Sequence, residues 1–198
     1  MTKYILNSGG IKQQPALKKQ FHQEIVKGLG PKPRFVLCNF AQGREYWEVK
    51  FADYCNSIAE DMPEGIMPLF ELALPDKFVE QCKNADVIYF HGGDNDLLLY
   101  WLRRYQLPEL FTGKVVATNS ASSMVLSKHY WSCDWRACGD GLGILPIKFL
   151  AHYQSNFGQD DPRGPIDWQK AYNELAAYSD TSLPIHALKE GEFIVMEQ

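Results

Sequence analysis

Lys114-Val115-Val116-Ala117-Thr118-Asn119-Ser120-Ala121-Ser122-Ser123-Met124-Val125-Leu126-Ser127 passes from an apolar, β-branched run straight into a helix-compatible segment, with Ser120 at the joint. That order predicts a strand, a sharp turn and a helix, the layout that holds a serine hydroxyl at the apex of a nucleophile elbow. Small residues are needed around such a serine because the turn is strained and neighbouring strands are close. Ala121, Ser122 and Ser123 meet the need; Thr118 is bulkier than the glycine usual at its place. A helix beginning at Ala121 would aim its N–H groups and positive dipole end at a developing oxyanion. The same letters also fit an ordinary strand-to-helix junction capped by Ser120 or Ser122, so the flanking sequence has to decide.

Outward from this stretch, strand and helix patterns alternate. Tyr4-Ile5-Leu6-Asn7 reads as a buried strand that ends in Ser8-Gly9-Gly10, and Pro15 to Lys27 has helical spacing stopped by Gly28 and Gly30. Arg34 to Phe40 is a second strand, Arg44 to Glu60 a helix, and Ile66 to Leu74 a third strand or extended segment. Pro75 and Asp76 open another helix. Ala85 to Phe90 is the continuous apolar strand of a parallel sheet, running into His91-Gly92-Gly93-Asp94-Asn95 before a helix from Leu97 to Arg104. The alternation predicts an α/β fold: three layers, a doubly wound and mainly parallel sheet with helices on both faces. Ligands in such sheets bind beyond the carboxyl ends of the strands, where Gly92-Gly93 and Ser120 both fall. Gln159 to Ile166 is expected to be a mobile loop.

Composition narrows the classes. At 198 residues, 45% hydrophobic and 13% aromatic, the expectation is one globular domain over residues 1–198. A net charge of −4 makes no electrostatic case for nucleic acid or an anionic membrane, and Lys18-Lys19 and Arg103-Arg104 read as solvated helix faces. Five scattered cysteines fit neither a disulfide framework nor a zinc site, so the expectation is reduced thiols, no metal, no cofactor and a cytoplasmic location. The N-terminus lacks a signal peptide's apolar core, and no run is long enough to span a membrane.

A serine nucleophile needs a base, and His22, His91, His129, His152 and His186 are available. His22 falls in the first helix, His129 late in the elbow helix and His186 inside a strand pattern. His152 follows the extended run from Leu145 to Ala151, at a strand end where catalytic groups gather; His91 is a rival whose neighbours suit a supporting role. Glu190, Asp134 and Asp140 could each orient the imidazole, and spacing does not choose among them. The Gly92-Gly93 turn and the Ala121 amide are candidate oxyanion donors.

Together these landmarks resemble the serine dipeptidase family of peptidase E (aspartyl dipeptidase) and cyanophycinase. Leu6-Asn7-Ser8-Gly9-Gly10 is similar to its opening strand and turn, Tyr89-Phe90-His91-Gly92-Gly93-Asp94-Asn95 to its glycine-rich oxyanion turn, and Asn119-Ser120-Ala121-Ser122 to its elbow. Gly143-Ile144-Leu145-Pro146 through His152-Tyr153, and Pro184 through Gly191, resemble the segments that carry its histidine and glutamate. The resemblance implies a class I glutamine amidotransferase-like, flavodoxin-like fold. It also implies Ser120 as nucleophile, His152 as base and Glu190 as orienter, with Gly92, Gly93, Asp94, Ala121 and Asp134 around the substrate. The implied activity is serine-type hydrolysis of a small peptide or isopeptide, with self-association into a homodimer left open. The competing readings are a catalytically silent binding protein of the same fold and an amidotransferase-like hydrolase, which would want cysteine at the elbow. Thr118 and Ser122 stand where the family usually has glycine, which predicts a crowded, strained turn. Only Lys170 and Arg163 lie where the family places an arginine for an aspartyl side chain, which predicts at most a modest preference for acidic substrates.

Overall fold

The computed structural model describes residues 1–198. Its first sheet has six strands: β1 (Lys3–Asn7), β2 (Arg34–Cys38), β3 (Leu69–Leu72), β4 (Val87–Phe90), β5 (Val115–Asn119) and, at the far end of the chain, β10 (Phe193–Glu197). They lie in the order β10-β1-β5-β4-β2-β3, parallel throughout except for the antiparallel edge strand β10. Side chains alternate across it. Ile5, Phe35, Leu37, Tyr89 and Ala117 face α1 (Pro15–Val26) and α2 (Trp47–Glu60), and pack on Phe21, Ile25 and Ile58. Leu6, Val36, Ile88, Phe90 and Val116 face the opposite way, toward α3 (Phe78–Asn84), α4 (Asn95–Leu102), α5 (Leu107–Phe111) and α6 (Ala121–Leu126). The period-two pattern of a strand buried on both faces thus produces the expected three-layer α/β fold.

A second sheet, in the order β7-β6-β8-β9, joins β6 (Ser127–Ser132), β7 (Ala137–Asp140), β8 (Leu145–Leu150) and β9 (Ile185–Ala187). It packs against α7 (Trp168–Ala177) through Trp131, Leu150, Ala171 and Leu175. This sheet corrects one sequence expectation. His129 does not end the elbow helix, because α6 stops at Leu126, where the Ser127 hydroxyl takes the Met124 carbonyl. His129 instead lies in β6 and hydrogen-bonds Asp140 at 2.7 Å, so neither residue serves Ser120. The segment expected to be a mobile loop is cross-braced to the β6–β7 hairpin: Arg163 binds Asp161 and the Asp134 carbonyl, and Arg136 binds the Gly164 carbonyl. No helix is long and apolar enough to cross a membrane.

Lys148, in β8, is fully buried. Its ammonium donates to the carbonyls of Leu175 (2.8 Å), Ala176 (3.0 Å) and Tyr178 (2.7 Å), closing the C-terminal end of α7 where the helix dipole is negative. Hydrogen bonds to a charged group are worth about 1.5–3 kcal/mol net, and the bond to Leu175 is buried. Lys148→Met should therefore lower stability by about 2 kcal/mol. Urea denaturation should show a lower midpoint at unchanged slope; an unchanged midpoint would mean the ammonium's desolvation cancels its bonds.

Candidate active site

Strands β1, β4 and β5 end at one edge of the first sheet, with Asn7 and Asn119 paired in register. Ser120 follows at once, at φ 53° and ψ −110°, a conformation that only a tight surrounding structure imposes on a residue with a side chain. The imposing contacts come from the residues that replace the usual glycines. Ser122 donates its hydroxyl to the Phe90 carbonyl of β4 (2.7 Å) and accepts from the Asn119 N–H (2.8 Å). Thr118 bonds the Ser123 hydroxyl at 2.7 Å, and Ser123 donates to the Asn7 carbonyl of β1 at 2.8 Å. The turn is strained, as the sequence predicts, but Thr118 and Ser122 brace it rather than crowd it.

His152 comes from the other sheet. It lies two residues beyond the end of β8, also at positive φ (56°), and its Nε2 is 2.9 Å from Ser120 Oγ. Its Nδ1 is 3.1 Å from Glu190 Oε1, which follows β9. A carboxylate only accepts, so Glu190 fixes the proton on Nδ1 and leaves Nε2 free to accept from the serine hydroxyl. Burial pushes the His152 pKa below the ordinary value of 6.5, against the opposing pull of Glu190 and Asp134. The imidazole is therefore neutral at pH 7. Phe157 stacks on its ring (4.2 Å between centroids) and closes one side.

The other residues singled out in the sequence divide. Asp134 lies close enough to influence His152 through its charge but makes no hydrogen bond to it. Asp94 caps α4 by accepting from the Leu97 N–H (2.8 Å). The Gly92–Gly93 turn lies against the elbow: a Cβ on Gly92 would meet the Asn119 carbonyl at 2.7 Å and Ser120 Cβ at 3.3 Å. Gly92 gives its carbonyl to Gln42, and Ala121 opens α6 directly after Ser120. No cysteine stands at the elbow; Cys133, its thiol pushed up to about 12 by burial, lies under the Ala151 carbonyl. No group of three or more His, Cys, Asp or Glu side chains converges on a metal position.

Asn7, Ser8 and Gly9 are read in the sequence as a strand end and its turn, with no contact to Ser120 or His152 assigned to them. The Ser8 hydroxyl accepts from the His152 N–H (2.7 Å) and donates to the Leu188 carbonyl (2.7 Å). Gly9 adopts φ 102°, and a Cβ there would meet the His152 ring, with Nε2 at 2.7 Å, and Ser120 Cβ at 3.0 Å. Asn7 donates to the carbonyls of Gly191 (3.2 Å) and Glu192 (3.1 Å). The Ser-Gly-Gly run itself was the available signal, since nothing in an ordinary turn requires two glycines after a serine. Lys170, by contrast, pairs with Glu174 at 3.8 Å, and Arg163 is engaged by Asp161. The cations nearest these side chains are Lys12 and Lys18, which line a cavity of about 320 Å³ with His152, Glu190 and Asn119. Lys18 is thus no solvated helix face: it is 3.3 Å from Asp61, which also holds His22 at 2.7 Å.

No family model matches the chain, and no curated protein does. Among the solved structures that share its fold are two peptidases by description. A peptidase from an acI-B1 Actinobacterium aligns with a TM-score of 0.68 and 24% identity, over 99% of this chain and 83% of that one. A Listeria monocytogenes EGD-e protein, provisionally described as a peptidase E, aligns with a TM-score of 0.65 and 17% identity, over 99% and 94%. The fold is accordingly of the peptidase E kind.

Gly9→Ala tests the geometry. Positive φ and contact with both the His152 ring and Ser120 leave no room for a methyl group. Labelling of Ser120 by a fluorophosphonate should slow by roughly a hundredfold or more, because a misplacement of about 1 Å costs that much in a positioned reaction. Labelling at the native rate would show that Gly9 does not set the approach of His152 to Ser120.

Proposed function

We propose that this chain is a serine-type peptidase acting on a small peptide or isopeptide. One observation carries the reading: Ser120 Oγ, His152 and Glu190 form an unbroken hydrogen-bonded line of 2.9 and 3.1 Å at the carboxyl edge of the sheet. A line of this kind is how a hydroxyl is activated at neutral pH. The peptidase E-like fold of the two solved neighbours agrees with it.

In the proposed reaction His152 Nε2 takes the Ser120 proton as Oγ bonds to the substrate carbonyl carbon. The carbonyl π pair moves onto oxygen, where the Ala121 N–H and the Gly92–Gly93 turn are the backbone groups at hand. Collapse of this intermediate breaks the C–N bond, and His152 returns the proton to the leaving amine. Water then adds to the acyl-serine ester, with His152 again accepting a proton, and Ser120 is released. Glu190 stabilises the imidazolium at both steps.

Ser120→Ala and His152→Ala should each abolish nearly all peptide hydrolysis, and the double variant should be little worse, because the residues act as one unit. Losses that multiply would mean they do not cooperate. A protein that neither hydrolyses dipeptides nor reacts with a fluorophosphonate would instead be a binding protein on a peptidase fold.

The pH profile follows from burial of His152. The neutral imidazole is the working form, and its pKa is lowered, so kcat/KM should fall only on acidification below the ordinary histidine range and stay flat across neutrality. A midpoint at or above 6.5 in the native enzyme would contradict the assignment of His152 as the buried base.

A further inference from the structure

The outer face of α4 carries features that the proposed chemistry does not use. Asn95, Leu98, Leu99 and Leu102 turn inward, which leaves Asp96, Tyr100 and Arg103, the residue that caps the helix, as one exposed strip. Tyr100 is 56% exposed, and the Arg104 guanidinium lies over its ring at 4.2 Å. The strip borders an open groove of about 570 Å³ whose far wall is Tyr130, Gly139 and Asp140 of the β6–β7 hairpin. Asp140 is already held by His129. Asp96, Arg103 and Arg104, by contrast, enter none of the chain's ion pairs. Asp96 and Arg103 stand too far apart to pair with each other, since the seven-residue step between them spans about 10 Å of helix axis.

We propose that this strip is the contact face of a homodimer, in which α4 packs antiparallel on α4 of a second copy. A two-fold contact needs a surface that is its own complement. This strip is one. A two-fold axis level with the point between Leu99 and Tyr100 brings Asp96 opposite the partner's Arg103, and Arg103 opposite the partner's Asp96. Both residues border the same groove, so they lie on one side of the helix, and antiparallel packing sets them next to each other. Two opposite-charge contacts then form from groups that a single chain leaves unpaired. A parallel arrangement would set Asp96 beside Asp96 and Arg103 beside Arg103, so the charge pattern itself selects the antiparallel one. Between the two charge contacts, Tyr100 is the projecting group and the groove beside it is the recess for the partner's ring. Tyrosine and arginine are also the residue types that most often dominate interface energies. The inference stands apart from the role of Ser120, because none of these residues lines the cavity beside it.

Sedimentation equilibrium of the native protein should show a reversible monomer–dimer equilibrium that weakens at high salt. Asp96→Arg and Arg103→Asp each place like charges at both contacts at once, so each should raise the dissociation constant of the dimer roughly tenfold or more. Tyr100→Ser should do the same by emptying the groove of the partner. An equimolar mixture of the Asp96→Arg and Arg103→Asp proteins then tests the register. In the mixed dimer every acidic group again faces a basic one, so the mixture should dimerise to within roughly threefold of the native affinity while each variant alone stays weak. All three positions are exposed, and rescue on mixing also shows that both reversed-charge proteins are folded. Tyr100→Ser keeps the face testable should either of them fail to fold. A native protein that stays monomeric into the millimolar range overturns the proposal. A native dimer indifferent to these substitutions does the same, because its contact lies elsewhere. Folded variants whose mixture stays monomeric overturn the antiparallel pairing of Asp96 with Arg103.

Discussion

Ser8 stands between the two sheets and bonds both segments that carry His152 and Glu190. Its hydroxyl accepts from the His152 N–H and donates to the Leu188 carbonyl, two residues before Glu190. The Gly9 carbonyl then receives the Gly191 N–H at 2.7 Å. The end of β1 therefore fixes three things at once: the approach of His152, the position of Glu190 and, through pairing of Asn7 with Asn119, the register of the elbow. A hydroxyl is one of few groups able to accept and donate in a single small volume. Alanine at position 8 would leave the buried His152 N–H unpaired, at a cost of about 1–3 kcal/mol, while the Leu188 carbonyl would keep the Tyr153 N–H.

Strain is concentrated in the same place. Ser120 and His152 both have positive φ, where a side chain costs on the order of 1–3 kcal/mol. Such backbone persists only if its surroundings over-determine it, and here hydroxyl bridges do so. Ser122 ties the elbow to β4, and Ser123 ties it to β1, with Thr118 bonded behind. Glycine at 118 and 122 would relieve space but remove these bridges. The two solutions to one steric problem are different chemistry, which is why the elbow departs from its usual letters while its geometry is held.

The main sheet was legible because each of its buried strands is a short apolar run bounded by turn residues, and because period-two burial leaves no alternative face for Phe35, Val36 and Leu37. The second sheet was legible in part: the run from Leu145 to Ala151 and the segment around His186 read as extended, but β6 did not. Ser127 to Ser132 carries a lysine and a histidine inside an aromatic run, so its partner strands, not its own periodicity, decide its conformation. Ser120, His152 and Glu190 could be proposed from order along the chain, but the choice among Glu190, Asp134 and Asp140 depends on which strand ends meet. Asp140 is taken by His129 across a hairpin, a contact 11 residues apart that no spacing rule singles out. The cavity was hidden for the same reason. Lys12, Lys18 and His22 come from the turn and helix after β1, Tyr54 from α2 and His91 from the turn just after β4, and only the packing of α1 and α2 on the sheet makes them neighbours.

Ser120 and His152 thus come from different sheets, and the 2.9 Å between them depends on how the sheets sit against each other. The first sheet holds Ser120 by backbone pairing on both sides of β5, which is stiff. The second holds His152 at the end of β8, whose neighbour β9 contributes only three residues. Lys148 strengthens that weaker side, because its buried ammonium binds α7 to the strand leading to His152. A chain with a looser second sheet would keep its fold and lose its hydrogen-bonded line, since a displacement of about 1 Å is enough to disable a positioned proton transfer. The buried lysine, far from Ser120, is accordingly part of what places His152, and Ser8 is the point at which that placement is passed to the first sheet.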